Sequence, residues 1–471
     1  MLSFDGQPLK NAYVSLFGQE IRFRQNTDST SQFSFTVDKH GGYWLWLTGI
    51  HHKTLLIPLL VTEPLEFAVR LGAAGYKSDF DSVLVIGEFN DFSDEESAVL
   101  MRKQSDGTFI ATIRTNSDTL GYQLLGVQKG EHPLAGTHAH RYAFDRERPL
   151  LGGKSGKYIS VLNVENGAAR MVFDPDELPR SEAGAKVMFK NSTCSSARIV
   201  SSRQELEKRR EPYIEAIEAY RKAGKDLQAF KYDWSADRAD LAKQIDAEPN
   251  QLVRQYLLLN YFHFGNSEED SLMARRVFEE IPPASMIWSL EWGSPGNTFF
   301  TVAHIASQPQ VAKVYAQQVI EEHADPAVRA PFLFYALSKA HQAGEAELTS
   351  RYYTHLMDEH GDTFYARMAK ARYGPSRNII TGKPVPEFAV ASLGDSTKAY
   401  THRTFRGKVY LIDFWAVWCG PCVAEMKNLH KAYDKYKDKG FTILSLSFDR
   451  RLEDVIEFHR KKWPLPGRTL L

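Results

Sequence analysis

Cysteine is scarce in this chain: Cys194, Cys419 and Cys422 are the three among 471 residues. A disulfide scaffold needs a far higher density, so cross-links do not hold this fold together. Charge of one sign is missing as well. Lysine plus arginine and aspartate plus glutamate each number 58, for a formal net charge of zero. No long-range field draws a polyanion, and nucleic acid is not an expected partner. No run approaches the roughly 18 consecutive apolar residues of a membrane-spanning helix. The opening MLSFDGQPLKNAYVSLFG lacks a basic segment followed by an uninterrupted apolar one, so no signal peptide is visible. What is present is a globular composition, 43% hydrophobic and 12% aromatic. The length suits about three or four domains.

Alternation dominates the first part. FSFTV (Phe33–Val37), YWLWL (Tyr43–Leu47) and LEFAVRL (Leu65–Leu71) read as strands, with Gly41 and Gly42 as a turn. A second β-rich block runs through Ser82–Ser93, Gly107–Thr115, Leu120–Val127 and Lys157–Val164 to Ala185–Phe189. The period then becomes helical. Ser201–Gly224 reads as a helix capped by Ser201 or Ser202 and ended by Gly224. Apolar stripes follow at Val311, Tyr315 and Val319, at Phe332, Ala336 and Ala340, and at Leu348, Tyr352 and Leu356, with Gly344 and Gly361 as stops. Gly374-Pro375, Pro384 and Pro386 mark a linker. Beyond it, Lys408–Trp415 and Phe441–Phe448 read as strands, and Gly420–Lys437 and Leu452–Lys461 as helices.

The chemistry lies in YLIDFWAVWCGPCVAEM, Tyr410–Met426. Cys419-Gly420-Pro421-Cys422 follows a buried strand and opens a helix. The free N–H groups and positive dipole end of a first helical turn stabilise a thiolate. Cys419 is therefore expected to titrate below the free-thiol value of roughly 8.5. Two intervening residues let Cys422 attack a mixed disulfide formed on Cys419. Pro421 fits because its missing N–H would have had no intrahelical partner. Half of a zinc site is the rival reading, but zinc wants four ligands. Cys194 is distant and no H-x3–5-H pair follows Cys422. A redox dithiol is expected, with neither metal nor bound cofactor.

LIDFWAVWCGPC resembles thioredoxin, and the wider stretch resembles the TlpA/ResA-type thiol-disulfide oxidoreductases. It includes the leader GKPVPEFAVASLGD, then FRGKVYLIDFWAVWCGPCVAEM and KYKDKGFTILSLSFD, over about Gly382 to Leu471. The resemblance implies Cys419 as attacking thiol, Cys422 as resolving thiol and Trp418 as the flanking tryptophan, with Gly420 and Pro421 between the cysteines. It also implies a buried carboxylate at Asp413 that takes a proton from the resolving thiol, and an acidic residue near the site at Glu425. An extracytoplasmic setting (periplasm or cell envelope), disulfide-containing protein substrates and a membrane thiol-disulfide electron donor follow from it too. One departure stands out. The family continues into a cis-proline loop, a hairpin and a last helix, whereas this sequence stops at KKWPLPGRTLL, and Pro464 and Pro466 come too early to be that proline. Either a fragment or a degenerate domain is expected, with strand Lys408–Trp415 left open on one side.

Weaker likenesses complete the pattern. The first block is similar to carboxypeptidase-regulatory or transthyretin-type modules. VLVIGEFNDFS resembles glycogen-binding early-set modules, although Phe92 stands where their tryptophan would be. The helical stretch resembles tetratricopeptide-type hairpins. LGGKSGKY lacks P-loop spacing, His138 and His140 are too few for a metal site, and Cys194 reads as a buried or idle thiol. The expected architecture is multidomain, with β-sandwiches at 1–75 and 76–192, an α-helical hairpin domain at 195–375 and an α/β thioredoxin-like domain at 380–471. The expected function is thiol-disulfide exchange that reduces protein disulfides through the WCGPC dithiol. Its rival is a non-enzymatic binding scaffold with an inert C-terminal domain.

Overall fold

A computed structural model describes the chain except residues 11, 20, 81, 94–96, 129–140, 145–148, 151–152, 155–157, 224–229, 266–269, 292–294, 376–378, 381, 394, 450, 462–467 and 471. It divides into two compact units. One comprises Met1–Glu205 with Ala239–Gly344, the other Leu206–Arg238 with Glu345–Leu471.

The first unit opens with β1 (Tyr13–Gly18), β2 (Ile21–Asn26), β3 (Gly41–Thr48) and β4 (Leu55–Val61), an antiparallel sheet ordered β2-β1-β3-β4. Strand β5 (Phe67–Arg70) lies outside that sheet. Val14, Leu16, Tyr43, Leu45 and Leu47 fill the core of this module. Phe33–Val37 is not a strand. Phe33, Phe35 and Val37 still pack against the core, so the alternation marked a buried side but no backbone ladder. Gly41 and Gly42 are not a turn; they begin β3. A Cβ on Gly42 would lie 2.8 Å from Ser289 Cβ and 2.9 Å from Leu290 Cδ2, so the missing side chain makes room for the 3₁₀ turn Met286–Leu290. Trp44 Nε1 donates to Ser289 C=O of that turn at 3.1 Å.

The next strands are β6 (Leu84–Gly87), β7 (Val99–Leu100), β8 (Arg102–Lys103), β9 (Phe109–Arg114), β10 (Thr119–Leu125), β11 (Arg141–Phe144), β12 (Pro149–Leu150), β13 (Gly153–Lys154), β14 (Tyr158–Asn163), β15 (Ala168–Phe173) and β16 (Lys186–Phe189). Two sheets, β11-β14-β10-β6-β7 and β15-β9-β8, share one core. Residues two apart supply it: Leu120, Tyr122 and Leu124 from one sheet, Phe109, Ala111 and Ile113 from the other. Phe92 is 5% exposed, which removes it as a sugar platform. Strand β16, expected to close this second module, pairs instead with β5 of the first.

Helix α1 (Ser195–Lys222) starts earlier than Ser201, and Ser201 and Ser202 lie inside it. Buried Ser196 accepts from Leu60 N–H at 2.9 Å and donates to Leu60 C=O at 2.7 Å, so this contact, not a serine cap at Ser201, sets the start. Cys194 is buried as a free thiol. The helices α2 (Ser235–Ala247), α3 (Gln251–Tyr261), α4 (Ser271–Glu280), α5 (Pro295–Ile305), α6 (Pro309–Glu322) and α7 (Pro326–Gln342) follow. Trp288, Phe299, Tyr315 and Phe332 are buried at the centre of this helical group. On α6, Tyr315 and Val319 face inward together with Ala312 and Ala316, whereas Val311 is exposed, because the buried stripe runs through Ala312 rather than through its neighbour. The His138 and His140 pair and the helix end expected at Gly224 lie outside the described residues.

The second unit contains α8 (Ala346–His360) and α9 (Phe364–Tyr373), which pack together. Tyr352 and Leu356 of α8 are buried. Then come β17 (Ala389–Ser392), β18 (Asp395–Thr401), β19 (Val409–Trp415), α10 (Gly420–Tyr436), β20 (Phe441–Ser447), α11 (Leu452–Lys461) and β21 (Arg468–Leu470). The sheet order is β18-β17-β21-β20-β19. Strands β19, β20 and β21 are parallel neighbours joined through α10 and α11, the βα arrangement in which a crossover helix covers the sheet. Trp415, Met426, Val455 and Phe458 form the core on the helix side. Phe405 and Leu444, with Tyr410 and Ile412, form another. Among the described residues β19 pairs only with β20, so it is an edge strand. Among these residues too, no helix is long and apolar enough to cross a membrane.

Candidate active site

Strand β19 ends at Trp415, and α10 begins at Gly420, so four residues make the turn that carries the first cysteine. Cys419 is the N-cap of α10. Its Sγ accepts the N–H of Cys422 at 3.3 Å, satisfying one of the donors that a helix start leaves free. Pro421 occupies the first turn, where no N–H is needed. Cys419 and Cys422 are joined as a disulfide with a Cα–Cα distance of 5.3 Å. Both cysteines are half-buried, and Gly420 and Pro421 are exposed. Cys422 Sγ lies 3.9 Å from the carbonyl oxygen of Phe414. Trp418, at 75% exposure, stands out from the turn beside the disulfide in sequence.

Asp413 projects from β19 two residues before Trp415 and is paired in register with Ser445 of β20. Burial raises its pKa above the ordinary carboxylate value; the Ser445 hydroxyl pulls the other way, and the negative charge of Glu425 raises it further. Glu425 lies on α10, is exposed, and accepts from Asn428 Nδ2 at 3.0 Å. Asp413 on β19 and Glu425 on α10 come within electrostatic reach of each other, on the two elements that flank the disulfide. The residues missed by the sequence reading are Asp449 and Ser447, just beyond the apolar run of β20. Val417 N–H donates to both oxygens of Asp449, at 3.1 and 2.9 Å. The only signal for them was an acid closing LSLSFD. Among the described residues no group of three His, Cys, Asp or Glu side chains could hold a metal.

A group whose folded pKa is raised stabilises the fold at pH below its unfolded value and loses that contribution as pH rises through the folded value. For Asp413 the window opens at 3.8 and runs upward. Asp413→Asn should therefore match the wild type near pH 3 and gain local stability toward neutrality. Hydrogen exchange of β19 and β20 amides is the readout, with protection rising at pH 7.5 and unchanged near pH 3. Equal gains at both pH values would show that ionisation is not the cause.

Residues 380–466 match the Redoxin family. The chain is 40% identical over 96 residues to the thiol-disulfide oxidoreductase ResA of Bacillus cereus, covering 20% of this chain and 54% of that protein. It is 32% identical over 71 residues to the thiol:disulfide interchange protein DsbE of Vibrio cholerae, covering 15% of this chain and 36% of the relative. Among solved structures, the thioredoxin domain of a thiol-disulfide oxidoreductase from Bacteroides vulgatus aligns at 34% identity with a TM-score of 0.18, over 20% of this chain and 66% of that one. The chain spans about half the length of the ResA proteins it matches. Residues 380–466 are a thioredoxin-like Redoxin domain with relatives among the ResA and DsbE thiol-disulfide oxidoreductases.

Proposed function

We propose that this protein is a thiol-disulfide oxidoreductase that reduces protein disulfides through the Cys419–Cys422 dithiol. The observation that carries the proposal is the cysteine pair at the start of α10, with a backbone N–H donated to Cys419 Sγ. In the reduced protein the Cys419 thiolate attacks one sulfur of a client disulfide. A Cys419–client bond forms, and the other client sulfur leaves as a thiolate. Cys422 then attacks Cys419 Sγ, the intramolecular disulfide forms, and the client's second thiolate departs. Two electrons pass to the client, and the protein ends as the disulfide.

Asp413 accepts the proton that Cys422 gives up before its attack, a task suited to a carboxylate whose pKa burial has raised. Glu425 supports that raised value. Trp418, Gly420 and Pro421 form the surface that a client segment meets. No cofactor is needed, since the sulfur pair carries the electrons. By analogy with the relatives, the setting is extracytoplasmic and a membrane thiol-disulfide donor re-reduces the pair. The β modules at 1–75 and 76–192 and the helices of 195–375 then bind or position clients for the domain at 380–471.

The test equilibrates the full chain in graded thiol–disulfide buffers, traps free thiols and reads them by mass spectrometry. Cys419 and Cys422 should titrate together as a two-electron couple between about −120 and −270 mV. Independent titration of the two would favour the non-enzymatic scaffold.

A further inference from the structure

The turn that presents Cys419 is held at each step. Cys419 N–H donates to Ala416 C=O at 3.0 Å, and Phe448 N–H donates to Trp415 C=O at 2.9 Å. Between these, Val417 N–H is shared by the two oxygens of Asp449 at 3.1 and 2.9 Å. Asp449 is itself fixed. Ser447 Oγ donates to its Oδ2 at 2.8 Å and accepts its N–H at 3.0 Å. Hydrogen bonds to an ionised acceptor are roughly twice as strong as neutral ones. This one links the end of β20 to the middle of the turn, across 32 positions of sequence.

We infer that Asp449 is a positioning residue for the thiol chemistry: by clamping Val417 N–H it orients Cys419 Sγ at the N-cap of α10. The inference rests on the proposed role of Cys419 as attacking thiol. A sulfur at an N-cap gains from the helix only while it faces the free N–H groups. If the turn loosens, the thiolate loses that stabilisation and Cys419 drifts back toward roughly 8.5. The charge of Asp449 acts in the opposite sense, because a nearby anion disfavours a thiolate. Position and charge therefore predict opposite outcomes. Asp413 on β19, Glu425 on α10 and His459 on α11, whose ring meets Trp415 edge-on at 6.0 Å, are ionisable groups on the elements packed here, and all stay in place.

The experiment measures the pH profile of Cys419 alkylation by iodoacetamide in the reduced full chain, with mass spectrometry separating it from Cys194. Asp449→Asn keeps an acceptor oxygen and removes the charge. Asp449→Glu keeps the charge and displaces the oxygens by one methylene. With Asn, the rate at pH 7 should stay within about threefold of wild type. With Glu and with Ala it should fall about tenfold, as the midpoint rises by about one unit. Wild-type profiles in Glu and Ala, or a faster rate in Asn beside an unchanged Glu, would overturn the inference. If the Ala variant does not fold, the Asn–Glu contrast decides alone. A wild-type Cys419 midpoint at the free-thiol value would instead sink the proposed function, and that is known before any variant is made.

Discussion

Cys419→Ser is expected to abolish disulfide reduction, by on the order of 10³-fold or more, while Cys422→Ser should stall the reaction halfway. The hydroxyl of serine is far less acidic than a thiol, so at neutral pH the attacking anion is lost. In Cys422→Ser the attacking sulfur remains, but nothing can displace the client from it. A covalent Cys419–client adduct should accumulate, visible as a band that disappears on reduction. The asymmetry between the two variants is the decisive feature. It follows from the N-cap position of Cys419, whose Sγ accepts the Cys422 N–H at 3.3 Å, whereas Cys422 sits at the third position of α10 and contributes to the apolar core behind it. Turnover of a small disulfide substrate and trapping of the adduct measure both. Equal residual activity in the two variants would rule out the assigned order of attack.

A second large effect is expected far from the sulfur chemistry in sequence. Trp288→Ala should destabilise the helical group of the first unit by about 3–5 kcal/mol, the range for removing a fully buried large aromatic. Trp288 is 0% exposed. Its ring meets Phe332 edge-on at 5.2 Å and Phe299 at 6.4 Å. Its Nε1 donates to Tyr315 Oη at 3.0 Å, and that hydroxyl donates to Ile281 C=O at 2.7 Å. Tyr315→Phe removes a single oxygen yet leaves both a buried indole N–H and a carbonyl without this partner, so about 1–3 kcal/mol is expected. Hydrogen exchange of α5, α6 and α7 reads both variants locally, which suits a chain of two units better than one global transition. A Tyr315→Phe variant as protected as wild type would mean that solvent takes over the lost bonds.

The placing of a cysteine pair at a helix start was legible because its parts are local. A strand of apolar residues, a short turn, two cysteines and an amphipathic helix occupy Val409–Tyr436, and helix-end physics acts within one turn. Asp413, on β19 six residues ahead of Cys419, was singled out only by the resemblance to thioredoxin, because a lone acid on a strand carries no local signal of its own. Asp449 was not. Its partner is a backbone N–H at Val417, and a main-chain donor leaves no side-chain signature for a distant carboxylate to match. The strands gave a similar lesson. Alternation at Phe33–Val37 marked side chains that do pack inward, but a ladder also needs a neighbour in register, which that segment lacks. Lys186–Phe189 reads as a strand in any context, and its pairing with Phe67–Arg70 depends on chain far behind it.

By itself, then, the order of residues determined where the period is two and where it is near 3.6, which faces are apolar, and where a thiol pair meets a helix start. These properties depend on neighbours one to four positions apart. Only the tertiary structure decided which strand lies beside which, why Gly42 carries no side chain, which hydroxyl satisfies Trp288, and which carboxylate holds the turn before Cys419. Each of those is a contact between segments tens to hundreds of residues apart, selected by closure of the whole chain around shared cores.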